Sequence, residues 1–290
     1  MGWEVAVSGT VCLDDVTTPA GRRREQPGGS ALYFAVAAGR FARVHLAAVV
    51  GEDGDEAVRA ALAGVDVDLE GLCVDSRPTR RWRAIHDFER WVTASECSEE
   101  GAAARAPRLS EAAARAEVLF LGSMAPAQQL SILEASRARL VGIDSMVVHI
   151  RRDAATLWRA LEGSDVLFLN RSELGALTGC PDDGWQEAAG ALCRGSGRLR
   201  AVVVKGGPLG AACVTATGIE ERSAPPVATV IDPTGAGDSL AGGFLGACAA
   251  AELDSAPFFG TALDAGLGCA ADAIAGFGVT RLRAGGFSGR

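Results

Sequence analysis

Asp232-Pro233-Thr234-Gly235-Ala236-Gly237-Asp238-Ser239-Leu240-Ala241-Gly242-Gly243-Phe244 is the stretch from which the rest of the chain can be read. Gly235, Ala236 and Gly237 carry little or no side chain, so successive backbone N–H groups can converge on an anion where a helix begins. Asp238 follows at once, placed to take a proton. The same residues also suit a plain helix cap, and Gly242-Gly243 suits a close helix contact, so the stretch is weighed with its surroundings.

Outward from that turn, short β-rich apolar runs alternate with longer helical patterns. Residues 5–13, 44–50, 118–121, 140–143, 166–169 and 202–204 read as strands. Residues 29–41, 56–63, 126–137, 154–161 and 185–193 carry apolar side chains at helix spacing. This alternation predicts an α/β fold, a three-layer sandwich whose mostly parallel central sheet is covered on both faces. Ligands on such sheets bind at the carboxyl ends of the strands. Residues 14–28 and 78–95 break the pattern, and the second segment alternates polar and apolar residues as a half-exposed strand pair does. Together they predict a small β lid on a single domain spanning residues 1–290. Residues 95–107 are rich in Ala, Glu and Ser and read as a loop.

Composition narrows the function classes. Hydrophobic residues make up 48% of the 290 and charged residues 22%, which excludes a disordered or fibrous chain. A net charge of −8 and a pI near 5.0 argue against a phosphate-backbone contact, so no nucleic-acid partner is expected. Arg22-Arg23-Arg24 reads as a solvated loop. Eight cysteines, at 12, 73, 97, 180, 193, 213, 248 and 269, form no Cys-x-x-Cys pair, and most read as small buried hydrophobes in a reducing cytosol. No basic-then-apolar leader and no 18-residue apolar run is seen, so a cytoplasmic protein without a membrane partner is expected. His45, His86 and His149 share no obvious face, and none is assigned to catalysis or metal. No Gly-x-x-x-x-Gly-Lys-Ser/Thr loop is present, which removes P-loop chemistry.

Four further stretches share the character of the glycine turn. Gly9-Thr10-Val11-Cys12-Leu13-Asp14 ends the first predicted strand on a carboxylate that can accept two charge-strengthened hydroxyl hydrogen bonds; Asp15 is the alternative contact. Gly28-Gly29-Ser30-Ala31-Leu32-Tyr33 lets backbone approach a ligand where no Cβ intrudes. Tyr33, the one tyrosine of the chain, suits either a hydrogen bond or stacking on a substrate, or else helix packing. Asn170-Arg171-Ser172-Glu173 follows a strand and suits an Asn cap with acid in the first helical turn. Val202-Val203-Val204-Lys205-Gly206-Gly207-Pro208-Leu209-Gly210 offers phosphate a point charge at Lys205 and a tight turn at Gly207 and Gly210.

With Asp-x-x-Gly-Ala-Gly-Asp in its C-terminal third and Gly28-Gly29 near its start, the chain resembles the PfkB, or ribokinase-like, carbohydrate kinase family over nearly its whole length. The resemblance implies ATP-dependent phosphorylation of a hydroxyl on a sugar, nucleoside or related small molecule. It implies Asp238 as general base, with Gly235, Ala236 and Gly237 forming an anion hole. It implies Asp14, Gly28, Gly29 and Tyr33 at the acceptor and Lys205, Gly207 and Gly210 at the nucleotide. Glu173 and Asn170 would be associated with Mg²⁺ largely through water, and K⁺ activation near Asp232 fits the family pattern. Residues 266–278 resemble the part that closes the adenine pocket. Two residues depart from ribokinases: Tyr33 and Cys12 stand where those carry asparagines, so a plain ribose contact set is not implied. A sugar or sugar-like acceptor is expected; the alternatives are a nucleoside kinase and a catalytically weak sugar- or nucleotide-binding relative. Trp82 and Trp91 bracket the lid strands and suit stacking on a substrate or packing of the lid, and a homodimer joined through the lid is compatible with both.

Overall fold

The computed structural model describes residues 2–88, 92–98, 101–195 and 197–285; Trp91 lies outside them. The chain begins with β1 (Val5–Ser8), β2 (Cys12–Thr18), β3 (Gly21–Gly28), α1 (Ser30–Ala38), β4 (Val44–Gly51), α2 (Asp55–Leu62), β5 (Val67–Asp68) and β6 (Leu72–Asp75). It continues through β7 (Arg80–Asp87), β8 (Val92–Cys97), α3 (Glu111–Arg115), β9 (Val118–Leu121), α4 (Pro126–Ala135), β10 (Leu140–Asp144), α5 (Val147–Arg152) and α6 (Ala154–Glu162). The last part holds β11 (Val166–Asn170), α7 (Arg171–Thr178), α8 (Trp185–Gly195), β12 (Ala201–Lys205), β13 (Ala211–Thr215), β14 (Ile219–Arg222), α9 (Ala236–Ala251), α10 (Ala256–Ile274) and α11 (Thr280–Ala284).

The main sheet runs β14-β13-β12-β11-β10-β9-β1-β4-β5, with β6 also paired to β4. Its strands are parallel from β12 onward, and β13 alone is reversed, pairing antiparallel with both β12 and β14. The central strands β1, β9, β10, β11 and β12 are apolar nearly throughout because both faces are covered, whereas the edge strand β14 is polar and exposed. Along β9, Val118 and Phe120 enter the core on one face while Leu119 and Leu121 enter the other, the period of two that a strand imposes. The three-layer α/β sandwich expected from the alternation is what forms.

On the first face lie α1, α9 and α10. Aromatic rings tie this layer to the sheet: Phe34 stacks on Phe120 at 4.2 Å, Phe120 meets Phe168 edge-on, and Phe168 meets Phe244, which touches Phe259. Gly242 and Gly243 let α9 approach both neighbouring helices. A Cβ at Gly242 would lie 2.6 Å from the Phe34 carbonyl oxygen, and one at Gly243 would lie 2.7 Å from that of Ala265. Small residues after the turn therefore seat α9 in the core. No helix among the described residues is long and apolar enough to cross a membrane.

A second sheet, β3-β2-β7-β8, stands apart from the first, with β2 and β7 parallel and the outer pairs antiparallel. The run 5–13, expected as one strand, is divided between the two sheets. β1 stops at Ser8, and Cys12 to Asp14 pair with Arg80 to Trp82. Ser30 Oγ accepts the Thr10 N–H at 3.1 Å and the Ala31 N–H donates to the Thr10 carbonyl at 3.0 Å, which turns the chain out of the main sheet. Asp14 therefore lies within β2 and does not end the first strand. Arg22-Arg23-Arg24 belongs to the exposed strand β3, not to a loop. In the segment 95–107, β8 extends to Cys97 and Ala102–Ala104 makes one 3₁₀ turn. Residues 266–274 belong to α10, which begins ten residues earlier, at Ala256.

Candidate active site

The carboxyl ends of β1, β9, β10, β11 and β12 face the start of α9 and the second sheet. Between them opens a cleft of about 560 Å³, within the usual range for small-molecule sites. Asp14, Gly29, Tyr33, Glu173, Lys205, Gly235, Gly237 and Asp238 line it. Gly28 and Ala236 adjoin these residues in the chain without lining the cleft, and Asn170, three residues before Glu173, does not line it either. Gly207 and Gly210 are not brought to it: they lie on the turn between β12 and β13, and Gly210 lines a separate groove with Arg171, Trp185 and Leu209.

Gly235 precedes α9 with φ of 74°, a left-handed conformation that favours glycine. A Cβ there would run into the Tyr33 ring, so the turn rests directly on that ring. The Ala236 amide donates to the Pro233 carbonyl at 3.3 Å, while those of Gly235 and Gly237 have no backbone acceptor among the described residues. The start of a sixteen-residue helix thus offers donors and a favourable dipole to an anion.

Asp238 sits beside this turn. Burial pushes its carboxyl up to about 7, with Asp144 and Glu173 adding repulsion and Lys205 opposing it. Lys205 Nζ lies 2.7 Å from Asp144 Oδ2 and 3.8 Å from Glu173 Oε2. A Cβ on Gly237 would lie 3.3 Å from the same Nζ, so the ammonium is against the turn. Burial disfavours that charge, but Asp144 and Glu173 overcome it and hold Lys205 above its ordinary range. Both carboxylates are themselves raised by burial, against the pull of Lys205. Glu173 has a second role. Its N–H donates to Asn170 Oδ1 at 2.9 Å, and the Asn170 N–H donates to Glu173 Oε2 at 2.7 Å, a capping box that fixes the start of α7 at the end of β11.

At the second-sheet side, Asp14 Oδ1 and the Tyr33 hydroxyl are buried and have no hydrogen-bond partner among the described residues. Buried polar atoms are normally paired, and an unmet one costs about 1–3 kcal/mol. Burial raises both groups, followed by Asp232 and Asp238 acting on Asp14, and by Asp14 and Asp232 acting on Tyr33. Trp82, Arg80 and Cys97 of the second sheet and Met146, Val147 and Val148 of the main domain complete this end. Phe277 lies under the Arg23 guanidinium of β3, 4.6 Å from the ring centroid. All eight cysteines are free, four of them buried and Cys97 exposed.

The sequence reading missed Asp144, Arg80, Ser123, Met146 and His149, all of which line the cleft. Asp144 had a usable signal: an acid directly after a predicted strand, at the end where ligands bind. The others come from a strand, connecting segments and the short helix α5, with no motif. His86, which the reading also set aside, is buried beside the glycine turn, 3.1 Å from Thr234 Oγ1. Among the described residues, no group of three or more His, Cys, Asp or Glu side chains is arranged to hold a metal ion by itself.

Residues 6–271 match the family model described as pfkB family carbohydrate kinase. The cytidine kinase of Thermococcus kodakarensis is 28% identical over 252 residues, covering 83% of this chain and 87% of that protein. Among solved structures, the adenosine kinase from Sinorhizobium meliloti superposes with a TM-score of 0.79 at 19% identity, covering 98% of each chain. The Arabidopsis thaliana ribokinase complexed with ribose and ATP gives 0.77 at 20% identity over 96% of this chain and 94% of that one. The Methanocaldococcus jannaschii nucleoside kinase gives 0.71 at 21% over 98% and 100%. At such identities the superpositions establish the fold, whereas the family match spans most of the sequence. The chain belongs to the pfkB family of carbohydrate kinases and is a phosphotransferase that acts on hydroxyl groups.

Proposed function

We propose that this protein transfers the γ-phosphoryl group of ATP to a hydroxyl on the sugar of a nucleoside. The observation that carries the acceptor class is the mixed lining of the cleft. Asp14, Tyr33 and Asp238 are suited to sugar hydroxyls, and Trp82, Met146, Val147 and Val148 line the same cleft with apolar surface. A base has a flat face large enough to use that surface, whereas a free sugar has less. The similarity to a cytidine kinase supports the same class.

In this reading Asp14 accepts hydrogen bonds from sugar hydroxyls through its unpaired Oδ1, and the Tyr33 hydroxyl gains a partner on the same ligand. Asp238 takes the proton of the attacking hydroxyl. Its pKa of about 7 is near the operating pH, where a general base is most effective. The amides of Gly235 and Gly237, aided by Lys205, meet the charge on the transferring phosphoryl oxygens. Ala236 spaces those donors, and its own amide turns inward to Pro233. Gly28 ends β3 beside Asp14 and leaves room for its carboxylate. Gly207 and Gly210 shape the turn that follows Lys205 and take no part in the cleft.

Mg²⁺ fits the donor set, because Asp144, Glu173 and Asp238 share a single lysine and hard oxygen donors with surplus negative charge suit a cation that keeps its waters. Glu173, with Asn170 holding it in place, would bind the ion through water, and the ion would neutralise phosphate charge when bound. Both oxygens of Asp232 are already engaged, Oδ1 by the Thr234 amide and Oδ2 by Gln26. A K⁺ ion there would depend on backbone carbonyls, and no step runs through it. The second sheet acts as the lid of a single domain. Its open edge strands and the half-exposed Ile85 suit pairing with a second copy.

The test is ADP release with Mg-ATP across nucleosides, free sugars, aminosugars and polyols. Turnover with a nucleoside is expected. Turnover confined to free sugars would replace the acceptor class, and tight nucleoside binding without ADP release would make the protein a binding relative.

A further inference from the structure

The turn that forms the anion hole is held from two directions. From the core side, the N–H groups of Ile231 and Asp232 donate to the Ile274 carbonyl at the end of α10, at 2.8 and 3.3 Å. From the other side, its polar side chains are held by the second sheet. Asp232, which is 1% exposed, receives Gln26 Nε2 of β3 on Oδ2 at 3.3 Å and the Thr234 amide on Oδ1 at 2.9 Å. His86 of β7 places Nε2 3.1 Å from Thr234 Oγ1 and 3.9 Å from Asp232 Oδ1. Its Nδ1 is 2.8 Å from Thr93 Oγ1 of β8.

Burial holds the His86 pKa below its ordinary value, against the attraction of Asp232, so the ring is neutral near pH 7 and carries one N–H. The Asp232 carboxylate favours the proton on Nε2, which makes His86 a donor to Thr234 and an acceptor from Thr93. The ring also contacts Trp82, at 6.2 Å between centroids, and Trp82 and Thr234 both line the cleft. A continuous path of contacts therefore runs from the acceptor end of the cleft to the residue before Gly235.

We propose that His86 and Gln26 are positioning residues which lock the phosphoryl-binding turn to the second sheet, so that the amides of Gly235 and Gly237 are aimed only while that sheet is seated. This rests on the reading of the turn as the phosphoryl site. Seating of the acceptor against β2 and β7 and organisation of the anion hole become one event. The core contact at Ile274 fixes where the turn starts, and the second sheet fixes its orientation.

The experiment compares His86→Asn, which keeps a group near Nδ1 but loses the reach to Thr234, with His86→Gln, whose amide nitrogen can take the place of Nε2. His86→Asn and Thr234→Val are each expected to lower kcat by about 10- to 100-fold, the scale of a misaligned site. The acceptor KM should change little, and Tm should stay within about 3 °C of wild type. His86→Gln should recover most of kcat, and the double variant His86→Asn/Thr234→Val should be no slower than Thr234→Val alone. An unimpaired His86→Asn, no rescue by Gln, or additive losses would overturn the proposal. Amide hydrogen exchange gives a readout independent of turnover. Exchange at Gly235 and Gly237 should quicken in His86→Asn while the β2 and β7 amides keep their protection, and unchanged exchange at the turn would overturn the proposal. If the wild-type protein releases no ADP with any acceptor, the kinase reading has failed, and the exchange rates still decide the positioning role.

Discussion

Asp238→Asn should make the protein both inactive and more stable, and the size of the second effect follows from the site. Asp238 is pushed up to about 7 in the fold against 3.8 for a free side chain, chiefly by desolvation, with Asp144 and Glu173 adding repulsion and Lys205 and a backbone hydrogen bond offsetting part of it. A shift of about three pH units at about 1.36 kcal/mol each means that ionised Asp238 costs the fold about 4 kcal/mol at most. The folded pKa is raised, so the stability linked to this group is fully present below about pH 4 and is lost as pH climbs to about 7. Asn has nearly the same shape and never ionises. The variant should therefore match wild type near pH 4 and exceed it by up to about 4 kcal/mol near pH 8. Meanwhile kcat should fall by about 10²- to 10⁴-fold through loss of the base. Chemical denaturation without nucleotide or Mg²⁺, at several pH values, measures the gap directly. A gap that does not change with pH, or an Asn variant less stable than wild type at pH 8, would refute the placement of Asp238 among uncompensated carboxylates.

For the wild-type enzyme, kcat/KM for the acceptor should rise with pH through an apparent pKa of about 7, since the protonated carboxyl cannot accept a proton; a flat profile across this range in steady-state assays would count against Asp238 as base. Gly235→Ala places a Cβ against the Tyr33 ring at a positive φ, and should cost about 2–5 kcal/mol by denaturant titration. Lys205→Met strands the buried Asp144 carboxylate and should destabilise by about 3–5 kcal/mol, with much of the loss recovered in Lys205→Met/Asp144→Leu; an additive double variant would show that the pair is not coupled. Trp82→Ala should raise KM for nucleosides and leave that for ATP unchanged, as measured by ADP release.

What could be read in the linear sequence is what local chemistry controls. The left-handed Gly235, the small residues that seat α9, the capping box of Asn170 and Glu173, and the apolar runs of the buried strands each depend on residues a few positions apart. The conformational limits of glycine, helix-end hydrogen bonding and the two-residue period of a strand act at that range. Hence the α/β sandwich and the glycine turn that opens α9 were both visible before any fold was known. Tertiary structure decided the rest. The run from Val5 to Leu13 looks uniform because both sheets bury their share of it, so its division at residues 9–11 depends on Ser30, twenty positions away from Thr10. Lys205 looked free to meet phosphate, yet it is paired with Asp144, 61 positions earlier, and burial, with Asp144 adding repulsion, lifts Asp238 to about 7 against the pull of Lys205. His86 lacked any motif because its partner Thr234 is 148 positions away. Periodicity and backbone sterics decay within a turn or two of chain, whereas burial and Coulomb interaction depend on distance in space, and only the folded packing of the two sheets sets that distance.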